Sequence, residues 1–211
     1  YRPVTRTYSV RQFDAAREEL HVDFVLHGDE GPASYWASRA KPGDVLGVGG
    51  PGGRSITPSD FYLFAGDHTA LPAISAAIEA LPEHSSGCAF IEVPGPQDEL
   101  PIRTPPDFSV TWLHRNGERA GYTKLLENAV RGFQWPGDRK VFAWIGCESS
   151  SVRAIRAFVR DGKGLDRSSM MAIGYWRIGM SETQYNSDLK NDRDADYFLA
   201  MKEEFEKGQG V

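Results

Sequence analysis

The stretch at residues 61–73 constrains the fold more than any other, because an apolar run ends there in a glycine before a predicted helix. Residues 61–65 include three aromatic side chains, a pattern typical of a strand that is buried on both faces of a parallel sheet. Gly66 ends this run. The stretch therefore marks the beginning of an α/β region.

The residues after Gly66 predict the start of a helix. Asp67 and Thr69 have short side chains that can cap free N–H groups, and Pro72 stands in the first turn of a helix predicted over residues 71–81. A strand, a tight turn and a helix N-terminus can together form an anion site. An ordinary turn between a strand and a helix is the alternative, because the spacing G-x-G-x-x-G is absent.

Strands and helices alternate along the rest of the chain. Strands are predicted at residues 61–65, 88–93, 110–113, 141–145 and 170–174, and helices at 71–81, 123–130 and 152–159, the last capped by the serines at 149–151. This alternation predicts a parallel sheet with helices on both faces. The polar residues 176–194 predict a loop, and a final helix is predicted over residues 195–207.

Residues 1–57 predict a different architecture, made of β-structure. Short strands are predicted at residues 5–11, 20–26 and 45–48, and a short helix at 32–40. Three strands are too few to close a barrel. We therefore predict an α/β chain of two domains, the first at residues 1–57 and the second at 58–211.

Composition restricts the classes of partner. Charged residues make up 25% of the 211 residues and the formal net charge is −5, so no basic excess indicates nucleic acid. The two cysteines, Cys88 and Cys147, match no metal-ligand or disulfide spacing. No run approaches the roughly 18 apolar residues of a membrane-spanning helix. We expect a cytoplasmic protein without membrane insertion and without a metal site.

Five short motifs, in this order along the chain, carry a family resemblance. They are Arg6-Thr7-Tyr8-Ser9; His27-Gly28 with Gly31-Pro32-Ala33-Ser34 and Trp36; Ala65-Gly66-Asp67 with Thr69-Ala70-Leu71-Pro72; Trp144-x-Gly146-x-Glu148; and Gly174-Tyr175-Trp176-Arg177. Together they resemble the siderophore-interacting proteins, which are FAD-containing ferric-siderophore reductases of the ferredoxin-reductase superfamily. Each motif alone is weakly specific, but the resemblance spans nearly the whole chain.

The resemblance implies a fold and a reaction. The fold is an antiparallel flavin-binding β-barrel followed by a parallel-sheet domain for a nicotinamide nucleotide, NADPH or NADH. In the reaction, NAD(P)H reduces FAD, which then passes single electrons to the Fe(III) of a ferric siderophore. Family members carry several tens of residues before the motif that begins at Arg6, so we expect a partial barrel. His68 stands where the family has an acidic residue, and Cys147 where it has a small apolar one.

The resemblance assigns most cofactor contacts to the first domain. Arg6 would pair with the FAD pyrophosphate and Tyr8 would lie against the flavin ring, on the same face of a strand. The implied FAD-binding residues are Arg6, Thr7, Tyr8, Ser9, Asp23, Phe24, Val25, His27, Ala33, Ser34, Trp36, Thr69, Pro72 and Gly146. Considered without the resemblance, Arg6 and Tyr8 are more simply a surface arginine and a half-buried strand tyrosine, and Trp36 a core residue.

The resemblance also implies catalytic and substrate-binding residues. Ser9 and Glu148 would lie at the flavin, although stabilisation of a helix N-terminus is an equal alternative for Glu148. Trp176 and Arg177 would face the ferric siderophore, whose negative charge a cation attracts. The candidates for the 2′-phosphate of NADPH are Arg115, Arg153 and Arg156.

Two other functions stay open at this point. The chain can be a general flavin reductase, or one linked to ferredoxin, with another electron acceptor. It can also be a truncated binding module that holds no FAD. Flavin absorbance separates the last alternative from the others, and acceptor preference separates the first two.

Overall fold

The computed structural model describes residues 5–25, 31–50, 52–53 and 55–188. Its strands are β1 (Gln12–Asp14), β2 (Glu19–His21), β3 (Phe61–Asp67), β4 (Ser86–Val93), β5 (Asp107–His114), β6 (Val141–Glu148) and β7 (Met170–Trp176). Its α-helices are α1 (Pro32–Ala37), α2 (Leu71–Glu79), α3 (Leu125–Gly132), α4 (Ser149–Ala157) and α5 (Glu182–Ser187). The predicted helix at 195–207 and the predicted site residue His27 lie outside the described residues.

The larger sheet has five parallel strands in the order β5-β4-β3-β6-β7. The central strand β3 pairs with β4 on one side and with β6 on the other. The strands β4 and β5 are added on one side of β3, and the chain then crosses back to add β6 and β7 on the other side. The switch point of the topology therefore lies between β3 and β6. In open α/β sheets, ligands bind outside the carboxyl ends of the strands at such a switch point. All five strands predicted from the sequence for this sheet are confirmed.

Helices cover both faces of this sheet, as predicted. Because side chains alternate along a strand, Tyr62 and Phe64 of β3 pack with α2, whereas Leu63 and Ala65 pack with α3 and α4. The buried apolar residues accordingly form two clusters, one on each face of the sheet. The sheet is thereby fixed between two layers, and its carboxyl edge is held in a defined position.

Three local predictions for this region are wrong. The serines at 149–151 lie within the first turn of α4, and Glu148 is its N-cap. The N-cap of α2 is Ala70, without a capping side chain. The stretch predicted as a loop contains α5, whose capping box joins Ser181 and Gln184. The sequence Ser-x-x-Gln carries that signal.

The first part of the chain departs further from its prediction. Its antiparallel sheet, among the described residues, consists of β1 and β2 alone, which are joined by a turn in which Asp14 accepts from the N–H groups of Ala16 and Arg17. Residues 5–11 and 45–48 form no strand, and Val45 is 91% exposed. The predicted short helix is confirmed as α1. No helix in the described ranges is long and apolar enough to cross a bilayer.

Candidate functional site

The candidate site lies at the switch point, where β3 ends in Asp67 and β6 ends in Glu148. Gly66 and Gly146 face each other across the two strands. A Cβ atom added to Gly66 would lie 2.7 Å from the carbonyl oxygen of Gly146 and 2.6 Å from Cδ1 of Ile74. Glycine is therefore required at position 66 for this close packing.

Asp67 is the hydrogen-bond acceptor at the centre of this edge. Its side chain is buried, and its Oδ1 accepts from the backbone N–H of Thr69 at 2.9 Å and from the Thr69 hydroxyl at 2.5 Å. Its Oδ2 accepts from the backbone N–H of Glu148 at 3.1 Å and from Nε1 of Trp176 at 2.8 Å. One buried carboxylate thus joins the ends of β3, β6 and β7. A buried carboxylate needs such partners, because burial without them is costly.

Glu148 caps α4. Its Oε2 accepts from the backbone N–H of Ser150 at 2.6 Å and from the Ser150 hydroxyl, and its Oε1 accepts from the backbone N–H of Ile178 at 3.3 Å. An acidic group at this position also interacts favourably with the helix dipole. The helix-capping interpretation of Glu148 is therefore confirmed, and its catalytic role stays a prediction.

A second buried charged group lies beside Asp67, at the ends of β4 and β5. Glu92 accepts from the Thr123 hydroxyl at 2.7 Å and lies 3.5 Å from Nη1 of Arg115, which is also 3.4 Å from Nδ1 of His68. Burial raises the pKa of Glu92 above its ordinary value. Arg115 is only 7% exposed, so this candidate for a nucleotide phosphate belongs to an interior network.

The two cysteines are buried and take no part in a disulfide. Burial, and to a smaller extent the nearby carboxylates of Asp67 and Glu148, raises the pKa of the Cys147 thiol well above its ordinary value. Burial also raises the pKa of Cys88 to about 12. Both thiols therefore stay protonated at neutral pH and are poor nucleophiles.

Three aromatic residues from the predicted FAD-binding set form a cluster. The ring centroids of Tyr8 and Phe24 are 4.5 Å apart, and those of Phe24 and Trp36 are 5.9 Å apart. Tyr8 is 38% exposed, and partial burial raises the pKa of its phenol. The Ser34 hydroxyl donates to the carbonyl oxygen of Val25 at 3.4 Å and so ties α1 to this cluster. The structure brings these separated residues together.

The segment with Arg6 and Thr7 lies against α5. The backbone N–H of Thr7 donates to Oε1 of Glu182 at 3.0 Å, and Nε of Arg6 is 3.7 Å from Oε2 of the same carboxylate. The α5 helix follows β7 closely along the chain, and β7 carries Trp176 at its end. The predicted flavin-binding segment is therefore adjacent to the turn that leaves the parallel sheet.

The other predicted residues are distributed around these two groups. Ser9 and Ala33 are half-buried, Asp23 is exposed, and Pro72 is buried in the first turn of α2. Nη1 of Arg177 forms an ion pair with Oδ2 of Asp188 at 2.8 Å, which competes with any other anion for its charge.

Sequence analysis missed four residues that organise the site. They are Asp67 in its role as a buried acceptor, Glu92, Thr123 and Glu182. The position of Asp67 after an apolar strand was a usable signal, but it was interpreted as a helix cap. Nothing local distinguishes Glu92 or Glu182 from a solvent-exposed acid, because their partners lie far away in the sequence.

The fold and site define a class: two-part α/β proteins with a parallel sheet in the order β5-β4-β3-β6-β7 and buried carboxylates at its carboxyl edge. The family model described as Siderophore-interacting protein matches residues 59–179, and the one described as Siderophore-interacting FAD-binding domain matches residues 1–55. The chain belongs to the siderophore-interacting protein family.

Individual relatives agree with this assignment. An uncharacterised protein of Mycobacterium tuberculosis is 40% identical over 92% of this chain and 72% of its own length. The ferric vibriobactin reductase ViuB of Vibrio cholerae is 37% identical over 89% of this chain and 70% of its own length. Among solved structures, a siderophore utilization protein from T. fusca has 40% sequence identity to this chain and a TM-score of 0.77. The match covers 82% of this chain and 66% of the T. fusca chain.

Proposed function

We propose that this protein is a ferric-siderophore reductase that binds FAD within residues 1–57 and receives electrons from NADPH or NADH within residues 58–211. The observation that carries the proposal is the contact of Glu182 with Arg6 and Thr7. That contact sets the proposed flavin-binding segment beside the carboxyl edge of the parallel sheet, where nucleotides bind in such folds. The activity named for the Vibrio cholerae relative supports the same conclusion.

The residues of the first segment fit FAD chemically. The partly exposed ring of Tyr8, supported from behind by Phe24, offers a flat apolar surface to a planar ring system. The guanidinium of Arg6 offers a planar set of donors to a phosphate group. FAD, when bound, accepts two electrons from a nicotinamide and releases them one at a time to Fe(III).

Several residues in this proposal hold the cofactor and exclude water. Arg6 and Thr7 bind the phosphates, while Phe24, Val25 and Trp36 support the flavin ring and the adenine side. The remaining proposed FAD contacts are Tyr8, Ser9, Asp23, His27, Ala33, Ser34, Thr69, Pro72 and Gly146.

Ser9 and Glu148 are proposed to touch the flavin. Ser9 contacts the flavin edge through its backbone groups. The Glu148 carboxylate also accepts from the backbone at Ile178 and at the start of α4, and these hydrogen bonds keep the proposed nicotinamide site rigid.

Trp176 and Arg177 are proposed to bind the ferric siderophore at the mouth of the crevice. Arg177 is about one-third exposed even while it is paired with Asp188, so an anionic chelate can reach its guanidinium. Electron transfer to Fe(III) requires no general acid or base from the protein, and the weakly held Fe(II) then leaves the chelate. The β-barrel around FAD and a cytoplasmic location are parts of the same proposal.

The test begins with the colour of the protein. We expect the purified chain, after incubation with FAD and gel filtration, to retain visible flavin absorbance. Anaerobic NADPH should then bleach that absorbance, and added ferric siderophore should restore it with formation of Fe(II), detected with a ferrous chelator. A protein that retains flavin but reduces only other acceptors is a general flavin reductase. A chain that retains no flavin at any FAD concentration contradicts the proposal and supports the binding-module alternative.

The choice of electron donor is tested separately. The loss of flavin absorbance is measured with NADPH, with NADH and with a reduced ferredoxin, each at the same concentration of electron donor. Bleaching by either nicotinamide supports the proposed donor. Bleaching by ferredoxin alone would replace the nicotinamide in the proposal and leave the acceptor unchanged.

A further inference from the structure

The segment that begins at Trp176 is held at two points by buried carboxylates. Nε1 of Trp176 donates to Oδ2 of Asp67 at 2.8 Å, while Glu148 accepts from the backbone N–H of Ile178, two residues further along. The two carboxylates are themselves connected, because the backbone N–H of Glu148 donates to the same Oδ2 of Asp67 at 3.1 Å. We name Asp67 and Glu148, with the segment at residues 176–178 that they hold, the carboxylate clamp.

The tip of the indole also lies close to the backbone at Gly121. A Cβ atom added there would lie 2.9 Å from Cη2 of Trp176, 3.0 Å from Cδ1 of Ile178 and 3.1 Å from Cγ of Glu148. Gly121 also has a φ of +80°, in the region that favours glycine. The indole therefore has little freedom to rotate away from Asp67.

We infer that Asp67 is a positioning residue that fixes the orientation of the Trp176 ring at the mouth of the crevice. A carboxylate can only accept hydrogen bonds. Asp67 accepts four of them, two from Thr69, one from the backbone of Glu148 and one from the indole of Trp176. Hydrogen bonds to a charged acceptor are stronger than those between neutral groups. The charge of Asp67 thus holds both the turn of Thr69, before α2, and the indole after β7. Its effect on the ferric chelate rests on the proposed function of Trp176.

The choice of substitutions follows from this geometry. Asp67→Asn keeps the shape but leaves one acceptor oxygen for four donors, so at least one arm must lose its hydrogen bond. Trp176→Phe removes the indole N–H and keeps an aromatic ring. Thr69→Val is the matched control, because it removes a donor from the opposite oxygen of Asp67 and leaves the Trp176 arm intact.

The direct measurement is the indole ¹H–¹⁵N spectrum of the protein labelled at its five tryptophans. Trp176→Phe assigns the Trp176 resonance by its disappearance. We expect that resonance to lie downfield, as for an N–H that donates to a carboxylate, to move upfield in Asp67→Asn, and to stay in place in Thr69→Val. Even if the amide oxygen stays on the Trp176 side, it is a neutral and weaker acceptor, so an unmoved resonance in folded Asp67→Asn overturns the inference. This measurement requires neither FAD nor turnover.

A double-mutant cycle tests the same contact if Asp67→Asn folds poorly. The free energies of unfolding of Asp67→Asn, Trp176→Phe and the double variant should be non-additive, because residues that share one hydrogen bond couple. Additive values contradict a direct contact. Where the Asp67 variant does not fold at all, an upfield Trp176 resonance in the wild type, at the position of a solvent-exposed indole, overturns the inference by itself.

The functional consequence is measured in the FAD-loaded enzyme. Asp67→Asn and Trp176→Phe should each raise the KM for the ferric chelate, by roughly ten-fold if one charged hydrogen bond orients the ring, and the double variant should show no further increase. The affinity for FAD should stay unchanged in Trp176→Phe, which leaves the contact of Asp67 with Thr69 intact. An unchanged KM in an Asp67 variant whose resonance has moved overturns the positioning role. If the wild type shows no turnover, the proposed function is wrong, but the inference about Asp67 is still tested, because the indole spectrum reports its contact with Trp176 without turnover.

Discussion

Arg11 and Glu79 form a two-pronged ion pair, in which Nη1 and Nη2 of the arginine each lie 2.8 Å from one carboxylate oxygen. The pair joins the segment that precedes β1 to the last turn of α2, across 68 positions of sequence. Arg103 also donates to the backbone carbonyl of Glu79 at 2.9 Å. This pair is therefore one of the side-chain contacts that hold the first part of the chain against the parallel-sheet domain.

Removal of this pair should lower stability measurably. The two side chains are only 21% and 25% exposed, and their bidentate geometry is favourable, so we expect Arg11→Ala to lower the free energy of unfolding by about 1 kcal/mol. Arg11→Lys keeps the charge but loses the second hydrogen bond, so its free energy of unfolding should lie between those of the wild type and Arg11→Ala. Urea denaturation measures both. The control is Arg160→Ala, because the Arg160–Asp161 pair is similarly short but its side chains are 60% and 64% exposed, and no change is expected there. Equal effects of the two alanine variants would contradict the assignment.

The same pair predicts a dependence of stability on pH. The hydrogen bond from Arg11 holds the pKa of Glu79 below its ordinary value of 4.5. A carboxyl whose pKa is lower in the folded state contributes stability above its unfolded pKa and loses that contribution as the pH falls through its folded pKa. We expect the difference in unfolding free energy between wild type and Glu79→Gln to be constant above about pH 5 and to shrink toward acid. Chemical denaturation at several pH values checks this, and a difference that grows toward acid would falsify it.

Arg6 should contribute to FAD binding. The proposed contact with the pyrophosphate is a charged hydrogen bond, so Arg6→Ala should weaken FAD binding by roughly 1.5 to 3 kcal/mol. Flavin fluorescence quenching gives the dissociation constant. Glu182→Gln is the matched control, because it still accepts from the N–H of Thr7 but removes the carboxylate that competes for Arg6. Its FAD affinity should be equal or higher, and an unchanged dissociation constant in Arg6→Ala counts against the assignment.

Arg177 should act on the acceptor rather than on the cofactor. Arg177→Ala is expected to raise the KM for an anionic ferric chelate by roughly two- to five-fold, the size of an exposed ion pair. The defect should shrink as salt screens charges over about 8 to 10 Å. FAD affinity should not change. Stopped-flow measurement of the two half-reactions separates the acceptor step from the reduction of the flavin.

Asp188→Asn provides the opposite perturbation of Arg177. It removes the negative charge that lies 2.8 Å from Nη1 of Arg177, so more of the guanidinium charge is available and the KM for the chelate should fall. If instead Arg177→Ala raises the KM for NADPH and leaves the chelate kinetics normal, Arg177 belongs to nucleotide binding. The pair of variants thus distinguishes the two assignments.

The sequence alone determined the larger sheet. Residues 61–65 and 141–145 predict buried strands correctly, because a strand covered on both faces must be apolar at nearly every position, and this pattern is visible in a short window. The five short motifs predicted the family of the chain, and the family models confirm it. The same reasoning failed for residues 45–48, which have a β-type composition but pair with no strand among the described residues, since β-propensity reports packing more than backbone preference.

Tertiary structure alone decided the partners of the charged side chains. Glu182 and Thr7 are 175 positions apart, Asp67 and Trp176 are 109 apart, and Asp67 and Glu148 are 81 apart. Whether an acid is a solvated surface group or a buried acceptor depends on which donors the crossovers bring to it. A local pattern holds no information on such partners, and so Asp67 was interpreted as a helix cap. Its four donors come from the ends of β6 and β7 and from Thr69 in the turn before α2.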